Sequence, residues 1–457
     1  MNSKFDWIIL GGGSGGYAAA RTAAAAGQTV AIVDGAKDLG GLCILRGCMP
    51  SKTLIYSAEV LHLAQKGEIF GLDIAAASPD MKAIQKRRHH WVSDFADFRV
   101  EQLHSDRFQL FNQFGKLTGP KEVTLADGQK LEAKFIIIAT GSEVQFPNIT
   151  GLKGPRTVTS DEVLSWDFLP QKVVTLGGGI VACELSQDLQ RLGCEVTLIQ
   201  RSPHVLKELP GSASETIVNA FRKEGMQVHT GTQLKEIEHS PEGVVVHYVH
   251  DGVEKTANGE WLFNALGRVP RTADLGLESA GVELNWAGQV VTDTFQQTSV
   301  PGVYAAGDCT GPHEIVHIAI LQGELAVNHA LGKKAEAINY DHLLSVVFTD
   351  PQIGFVGLSE EECKARGIEY QVADYPFADH GKSLLMEAPE GYVKVVAEKS
   401  TGRVLGAECV GKDGGELIHS MGVAVALGAT VKDLLKVHWY HPTLSEVWTY
   451  PLEDLAE

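Results

Sequence analysis

Two short apolar runs of strand-forming residues each lead directly into a cluster of glycines. The first run is Ile8 to Leu10 and the second is Val173 to Leu176. Each glycine cluster is followed by a helix-forming stretch rich in Ala or Leu. Another apolar run comes next, Thr29 to Val33 in the first case and Glu195 to Ile199 in the second. This order of strand, glycine turn, helix and strand predicts two βαβ units.

Both glycine clusters have the G-x-G-x-x-G/A spacing in which backbone N–H groups at a helix N-terminus bind a pyrophosphate. The repeat therefore predicts two dinucleotide sites. The candidate binding residues are Gly11, Gly13, Ser14, Gly15 and Gly16 in the first unit, and Gly177, Gly179 and Ile180 in the second.

The residue after the second strand of each unit helps to select the nucleotide, because a carboxylate there binds ribose hydroxyls and repels a 2′-phosphate. The first unit has Asp34, which suits the adenosine of FAD or NAD. The second has Gln200 followed by Arg201, with Lys207 nearby, and this arrangement accepts a 2′-phosphate. We therefore expect NADP(H) to be slightly favoured over NAD(H). The alternative is that Arg201 and Lys207 are ordinary surface cations.

Linkers rich in Pro and Gly divide the chain into four segments. They lie at Phe146 to Arg156, Gly267 to Arg271 and Gly332 to Asn339. Within the first segment, Met81 to Phe111 is predicted to form one long helix with a solvated, charged face.

The last segment has no glycine cluster, and its pattern predicts three strands followed by a helix, which is an α+β arrangement. These elements are predicted at Ser345 to Phe348, Tyr392 to Ala397, Val404 to Val410 and Glu416 to Leu427. The predicted fold class is therefore α/β, with two Rossmann-like domains and a C-terminal α+β domain.

Length and composition agree with a globular protein of several domains, since 457 residues exceed what one hydrophobic core accommodates. With 57 acidic and 39 basic residues, the formal net charge of -18 repels polyanions and anionic membrane surfaces, so we expect no nucleic-acid or membrane partner. There is neither a signal-peptide pattern nor an apolar run long enough to cross a membrane. The scattered cysteines suit a reducing compartment, and we expect a cytoplasmic protein.

Two cysteines, Cys43 and Cys48, lie close together just after the first βαβ unit. A disulfide needs Cα atoms within about 7 Å, which a regular helix does not give at this spacing. The pair bridges only if the segment is distorted, and Gly47 and Pro50 permit that. A zinc site would need two further ligands at short spacing, and we expect no metal. The other cysteines show no such grouping and are predicted to be small buried apolar residues: Cys183, Cys194, Cys309, Cys363 and Cys409.

Taken together, these motifs resemble the two-cysteine flavoproteins of the pyridine nucleotide-disulfide oxidoreductase family. Dihydrolipoamide dehydrogenases, glutathione reductases and mercuric reductases are branches of this family. The likeness runs almost end to end and, beyond the glycine clusters and the cysteine pair, includes Ala139-Thr140-Gly141, Gly267-Arg268-Val269-Pro270, Val303 to Asp308, and His441-Pro442-Thr443-Leu444-Ser445-Glu446. It implies an FAD-binding domain at residues 1–146 continued at 267–335, an NAD(P)-binding domain at 147–266, and an interface domain at 336–457.

The resemblance also implies the roles of individual residues. Cys48 would be the charge-transfer thiol beside the flavin, and Cys43 the interchange thiol that attacks the substrate disulfide. Lys52 would lie near flavin N5 and pair with Glu184. The acid–base couple would be His441 and Glu446. The remaining cofactor-binding residues would be Gly41, Gly115, Thr140, Gly141, Asp308, Val316, His317, Gly267 and Arg268.

The implied activity passes electrons between nicotinamide, FAD, the Cys43–Cys48 disulfide and a dithiol or disulfide substrate, most like dihydrolipoamide dehydrogenase. The implied assembly is a homodimer with shared active sites that acts on a small-molecule or protein-bound disulfide, and a multienzyme complex is a possible setting. Departures from that branch include Gln200, and Arg21, which lies where glutathione reductases have a substrate-contacting arginine. The alternatives are a glutathione- or mercuric-reductase-like enzyme, a flavin transhydrogenase or quinone reductase, and a mainly structural component of a complex.

Overall fold

The computed structural model describes residues 3–457, which form a mixed α/β structure. The first part contains β1 (Lys4–Leu10), α1 (Ser14–Ala25), β2 (Val30–Val33), α2 (Leu42–Arg46), α3 (Cys48–Gln65), α4 (Met81–Leu103), β3 (Gln109–Phe111), β4 (Gly115–Gly119), β5 (Glu122–Leu125), β6 (Lys130–Ile138) and β7 (Ser142–Val144). The second contains β8 (Thr157–Val158), α5 (Ser160–Val163), β9 (Lys172–Leu176), α6 (Ile180–Leu192), β10 (Glu195–Ile199), α7 (Gly211–Lys223), β11 (Gln227–His229), β12 (Gln233–His239), β13 (Val244–His250), β14 (Val253–Gly259) and β15 (Trp261–Asn264).

The third part contains β16 (Arg268–Pro270), β17 (Val303–Ala305) and α8 (Val316–Ala330). The last contains β18 (Leu344–Val347), β19 (Gln352–Gly357), α9 (Glu360–Ala365), β20 (Tyr370–Pro376), α10 (Gly381–Leu385), β21 (Tyr392–Glu398), β22 (Val404–Gly411), α11 (Gly414–Leu427), α12 (Val431–Leu434) and α13 (Thr449–Ala456). Short 3₁₀ turns lie at Gly67–Phe70, Glu278–Ala280, Tyr340–His342, Phe377–Asp379 and Ser445–Trp448.

The first sheet is built around four parallel strands in the order β3-β2-β1-β6. Strand β17 pairs in parallel with the end of β6, at Ile136 to Ile138, while β5 and β4 extend the sheet antiparallel from the start of β6. Ile8 and Ile9 of β1 are fully buried, as expected for a parallel sheet covered on both faces. The chain therefore returns to the first sheet after it has built the second.

Helices α1 and α8 pack closely because glycines lie where they meet. A Cβ atom on Gly323 of α8 would lie 2.3 Å from the carbonyl oxygen of Gly15. A Cβ atom on Gly15 would lie 3.0 Å from the carbonyl oxygen of Ala319. Since no side chain fits into this space, the N-terminal end of α8 is held beside the first glycine turn.

The second sheet is parallel, with the strand order β11-β10-β9-β15-β8. The chain between β11 and β15 forms a separate antiparallel sheet, β12-β13-β14. A third large sheet, β18-β19-β22-β21-β20, is antiparallel throughout, and β22 is buried along its whole length. Its core includes Ile418 and Met421 of α11, and Leu452 of α13. This arrangement confirms the predicted fold class and the α+β character of the last segment.

One predicted element is wrong. Met81 to Phe111 is not a single helix: α4 ends at Leu103, and the strand β3 follows. Gln109 to Phe111 pair with Ala31 to Val33 and add an edge strand to the first sheet. The apolar character of Phe108 to Phe111 belongs to this pairing, which forms between segments distant in the chain.

Within residues 3–457, no helix combines the length and the apolar character needed to cross a membrane.

Candidate active site

The two cysteines lie at a break between two helices. Helix α2 ends at Arg46, α3 begins at Cys48, and Gly47 between them has φ -129° and ψ -116°, outside helical values. A Cβ atom on Gly47 would lie 3.1 Å from the Cα atom of Cys43, so glycine allows the two helix ends to approach. Pro50 lies in the first turn of α3, where the missing N–H costs little. The break brings the two free thiols close enough for each to act on the pKa of the other.

This contact gives the two sulfur atoms different acidities. The hydrogen bond from Cys43 lowers the pKa of Cys48 to about 7, although burial opposes the change. The charge of Lys52 lowers the pKa of Cys48 further, whereas that of Glu184 raises it. The same hydrogen bond, together with burial, raises the pKa of Cys43 well above its ordinary value. The pair therefore favours a thiolate on Cys48 and a thiol on Cys43 as the pH rises through about 7.

Lys52 lies one turn along α3 from Cys48, and its ammonium donates to Glu184 Oε2 over 2.7 Å. Glu184 belongs to α6 and is only 3% exposed. Its other oxygen accepts a hydrogen bond of 2.8 Å from the backbone N–H of Phe348, just after β18. The Phe348 ring lies 4.5 Å from the Lys52 nitrogen. The buried carboxylate of Glu184, on α6, thus contacts both α3, through Lys52, and the segment after β18, through Phe348.

The first glycine turn has the form that an FAD pyrophosphate requires. Gly11 has φ +101°, and a Cβ atom there would lie 2.3 Å from the carbonyl oxygen of Ala139. Above Gly13, by contrast, the nearest atom to such a Cβ is the Cα of Gly41, 4.0 Å away, so the N-terminus of α1 faces open space. No side chain caps this helix. The residues present therefore fit a dinucleotide phosphate bound at α1.

Asp34 follows β2 and faces the same turn. Its carboxylate accepts hydrogen bonds from the backbone N–H groups of Gly12, at 2.7 Å, and Ala36, at 2.9 Å. These contacts fix the orientation of the carboxylate while leaving lone pairs on both oxygens for ribose hydroxyls.

A polar chain connects other predicted cofactor residues. Ser142 donates to Asp308 Oδ2 over 2.6 Å and accepts from Arg268 Nε over 2.8 Å. Thr140 donates to the carbonyl oxygen of Arg271. The other expected residues lie at turns or at the ends of elements. Gly115 begins β4, and Gly141 and Gly267 have positive φ. Val316 and His317 are the first two residues of α8. Burial lowers the pKa of His317, which favours the neutral form of this imidazole.

The second glycine turn repeats the form of the first. Gly177 has φ +115°, and nothing lies within 4 Å of a Cβ atom on Gly179, where α6 begins at Ile180. Gln200 packs against Gly178 and accepts a hydrogen bond from the backbone N–H of Arg201.

The two nearby cations differ in their partners. Lys207 is exposed and pairs with Glu208 over 3.3 Å. Within residues 3–457 no carboxylate pairs with the exposed side chain of Arg201, which leaves its guanidinium available to a ligand.

His441 and Glu446 form a second centre in the C-terminal part. His441 Nδ1 lies 3.0 Å from both carboxylate oxygens of Glu446, and its side chain is 80% exposed. Glu446 is buried, and fully buried His380 approaches it on another side, with Nε2 3.6 Å from Oε1. Ser383 contacts the other nitrogen of His380 at 2.8 Å. Glu446 therefore orients the exposed imidazole from a fixed position.

The structure brings the predicted residues into two clusters. One contains Cys43, Cys48, Lys52 and Glu184, and the other contains His441 and Glu446. In the part of the chain that the structure describes, no hydrogen bond or ion pair joins His441 to either cysteine. Sequence reasoning missed Phe348 and His380, because their contacts join segments far apart in the chain and no motif marks them.

Comparison with known proteins places the chain in a family. Residues 5–323 match the family described as pyridine nucleotide-disulphide oxidoreductase, and residues 343–451 match its dimerisation domain. The chain is 33% identical over 457 residues to a dihydrolipoyl dehydrogenase of Chlamydia muridarum, covering 98% of this chain and 96% of that protein. It is 33% identical over 446 residues to a mercuric reductase of Bacillus cereus, covering 97% of this chain and 70% of that protein.

Solved structures are also similar. LpdA from Mycobacterium tuberculosis superposes with a TM-score of 0.89 at 28% identity, over 99% of this chain and 100% of that one. The HOCl-induced flavoprotein disulfide reductase RclA from Escherichia coli, at 24% identity and a TM-score of 0.87, covers 98% of this chain and 99% of that one and shares the fold.

The chain belongs to the pyridine nucleotide-disulphide oxidoreductase family. It is a flavoprotein oxidoreductase of the dihydrolipoamide dehydrogenase-like type that uses FAD and NAD(P). Its C-terminal part is the family's dimerisation domain, which indicates a homodimer.

Substitutions at Lys52 and at Glu184 are predicted to shift the pKa of Cys48 in opposite directions. In the reduced protein, the thiolate absorbance near 240 nm should titrate with a pKa of about 7. Cys43→Ala and Lys52→Met should each raise this pKa, because each removes a stabilising partner of the thiolate. Glu184→Gln should lower it, because it removes a nearby negative charge. Cys43→Ser, which keeps a donor, is the matched control. A Cys48 pKa that is the same in all four variants would contradict this assignment.

Proposed function

We propose that this enzyme moves two electrons between a nicotinamide nucleotide and a dithiol or disulfide substrate through Cys43 and Cys48, as a dihydrolipoamide dehydrogenase does. The observation that carries this proposal is the placement of two thiols at the break between α2 and α3, one turn from the Lys52–Glu184 pair, where their interaction favours a thiolate on Cys48 and a thiol on Cys43. Such a division is what a disulfide exchange centre needs, because one sulfur must attack the substrate and the other must resolve the product.

Several residues are proposed to hold the cofactor. The backbone N–H groups at Gly13 to Gly16 would bind the FAD pyrophosphate, Asp34 the adenosine ribose, and Asp308 the ribityl chain. FAD, when bound, accepts hydride from nicotinamide and delivers two electrons to a disulfide. The Lys52 ammonium would hold positive charge where the hydride arrives, and Glu184 keeps that ammonium in position.

The exchange reaction follows from the acidities of the two thiols. His441 removes the proton from Cys43, whose pKa is raised, and the resulting thiolate attacks one sulfur of the substrate disulfide. A mixed disulfide forms between Cys43 and the substrate, and the departing thiolate takes a proton from the imidazolium. The Cys48 thiolate then attacks Cys43, which forms the Cys43–Cys48 disulfide and releases the second substrate sulfur as a thiolate, which takes a proton from solvent. The reduced protein is oxidised by two electrons, and the substrate disulfide becomes two thiols.

We infer that His441 acts on the cysteines of the partner subunit. In one chain, its imidazole is 80% exposed and oriented by a buried carboxylate. An oriented but uncovered base suits a site completed by a second chain, and the same part of the chain is the dimerisation domain. The active sites are then shared, two per homodimer. A reducing compartment such as the cytoplasm, and a role within a multienzyme complex, are compatible with this activity.

Mixed dimers test both the function and the shared site. Cys43→Ser and His441→Ala homodimers should each lose disulfide turnover, the latter by about 10²- to 10⁴-fold, because a general base is removed. A heterodimer isolated with two different tags should recover about half of the wild-type turnover, since one of its two sites holds an intact cysteine and an intact histidine. Tagged wild-type dimers are the control. No recovery in a verified heterodimer would place His441 and Cys43 in the same chain.

The second dinucleotide site is proposed to accept NADP(H) at least as well as NAD(H), because the exposed Arg201 can bind a 2′-phosphate. Arg201→Ala should raise the KM for NADPH by roughly 10- to 100-fold, as expected for a lost hydrogen bond to a charged group, and leave that for NADH nearly unchanged. Lys207→Ala is the matched control and should have less effect, since Lys207 already pairs with Glu208. An enzyme that uses only NAD(H) would contradict this assignment.

A further inference from the structure

Arg99, on α4, is a charged group outside the clusters described above. Its guanidinium lies over the Tyr17 ring, with the Cζ atom 4.2 Å from the ring centroid. Its Nη1 atom is fully covered, and among residues 3–457 it has no hydrogen-bond acceptor. A covered guanidinium nitrogen without an acceptor loses its hydration with no compensating bond.

Other half-buried arginines in the chain have acceptors. Arg191 binds the carboxylates of Glu224 and Asp350. Arg268 donates to the side chain and backbone of Ser142. Arg88, on the same helix as Arg99, donates to Gln85 over 2.6 Å. The unmatched charge at Arg99 is therefore not a general property of this protein's covered arginines.

The sequence around Arg99 supplies no counterion. The helix neighbours that a side chain can reach, three and four residues away, are Phe95, Ala96, Gln102 and Leu103. The side-chain oxygen of Gln102 already binds Arg107.

Arg21 lies one turn after Tyr17 on α1. It is itself a cation and therefore cannot serve as a counterion for Arg99. Arg21 is paired with Glu324, so its own charge is matched within the chain. Its remaining influence on Arg99 is repulsive, which favours the approach of an anion from outside the chain.

The position of Arg99 relates this unmatched charge to the reaction. Helix α4 packs against α2, which carries Cys43. The charge of Arg99 acts on Cys43 and lowers the pKa of this thiol, although the stronger effects of Cys48 and burial prevail. Arg99 thus lies on a helix that contacts the helix of the sulfur that attacks the substrate.

We propose that Arg99 is a specificity residue that binds an anionic group of the substrate, most simply a carboxylate, beside Cys43. This inference rests on the proposed function and names its substrate class: disulfides or dithiols that carry a carboxylate near the sulfur atoms. A guanidinium binds a carboxylate through charge-assisted hydrogen bonds, and stacking on Tyr17 fixes its plane for that contact. A neutral carboxamide offers one acceptor and no charge, so it binds less well.

Alkylation tests the anion site independently of turnover. Iodoacetate and iodoacetamide differ in carrying a carboxylate or a carboxamide, and both alkylate thiolates. The rate at Cys43 in the reduced holoenzyme, followed by peptide mass spectrometry, should give an iodoacetate-to-iodoacetamide ratio that falls roughly 10-fold in Arg99→Gln. The ratio cancels any change in the pKa of Cys43. Arg88→Gln, on the same helix, is the matched control and should keep the wild-type ratio. An unchanged ratio in Arg99→Gln would overturn the proposal.

Turnover provides the second test with another matched pair of probes, lipoate and lipoamide. Wild type should reduce lipoate with the higher kcat/KM. Arg99→Gln should lower kcat/KM for lipoate by roughly 10- to 100-fold, mainly through KM, and change that for lipoamide by less than about threefold. Arg99→Lys, which keeps the charge, should restore part of the preference. Equal losses with both probes would indicate a structural role and contradict the proposal.

Folding and the proposed function are checked separately. Arg99→Gln should change the melting temperature little, because it removes the stacking on Tyr17 but also the covered guanidinium nitrogen that has no acceptor. A clearly lower melting temperature with dissociated dimers would overturn the proposal in favour of a structural contact. If wild type reduces neither lipoate nor lipoamide, the proposed function fails, while the alkylation ratio still decides whether Arg99 binds anions.

Discussion

The ion pair between Lys52 and Glu184 is the contact on which the rest of the site depends. It connects three parts of the fold: Lys52 follows the redox cysteines, Glu184 lies on the helix of the second glycine turn, and the N–H of Phe348 reaches Glu184 from the C-terminal part. Because Glu184 is almost fully buried, losing either partner would leave a charge without compensation in a poorly solvated position. The same two charges act in opposite directions on the pKa of Cys48. The pair thus fixes the geometry of the redox centre and adjusts the pKa of Cys48, on which Cys43 has the larger effect.

Near that pair, the backbone departs from regular helix at the cysteine pair and at the first dinucleotide turn. The break at Gly47 brings together two thiols that a continuous helix would separate, and the glycines of α1 and α8 let these helices pack closely beside the first dinucleotide turn. The second centre, His441 and Glu446, lies in a part of the chain with its own core and has an exposed imidazole. A single chain therefore contains both chemical functions, and dimerisation is proposed to bring them together.

Much of this could be read from the sequence, because local spacing carries it. The two glycine turns, the helix break at the cysteines and the α+β pattern of the last segment each depend on residues close together in the chain. Contacts between distant segments were less accessible. Gln109 to Phe111 were predicted to be helical, because their pairing with β2 is not apparent from the sequence. Likewise, nothing in the sequence near His380 indicates that it approaches Glu446. The missing counterion of Arg99 is likewise a property of the fold, since only the packed structure shows which atoms reach its guanidinium.

The central claim is that electrons reach the substrate only through the cysteine pair, and a Cys48→Ser variant measures this most directly. Its flavin should be retained and should bleach on anaerobic addition of NAD(P)H, because Cys48 belongs to neither glycine turn. Reduction of a disulfide substrate should fall to background, because Cys43 would lack its resolving partner. Disulfide turnover close to that of wild type, with the flavin equally reducible, would contradict the claim.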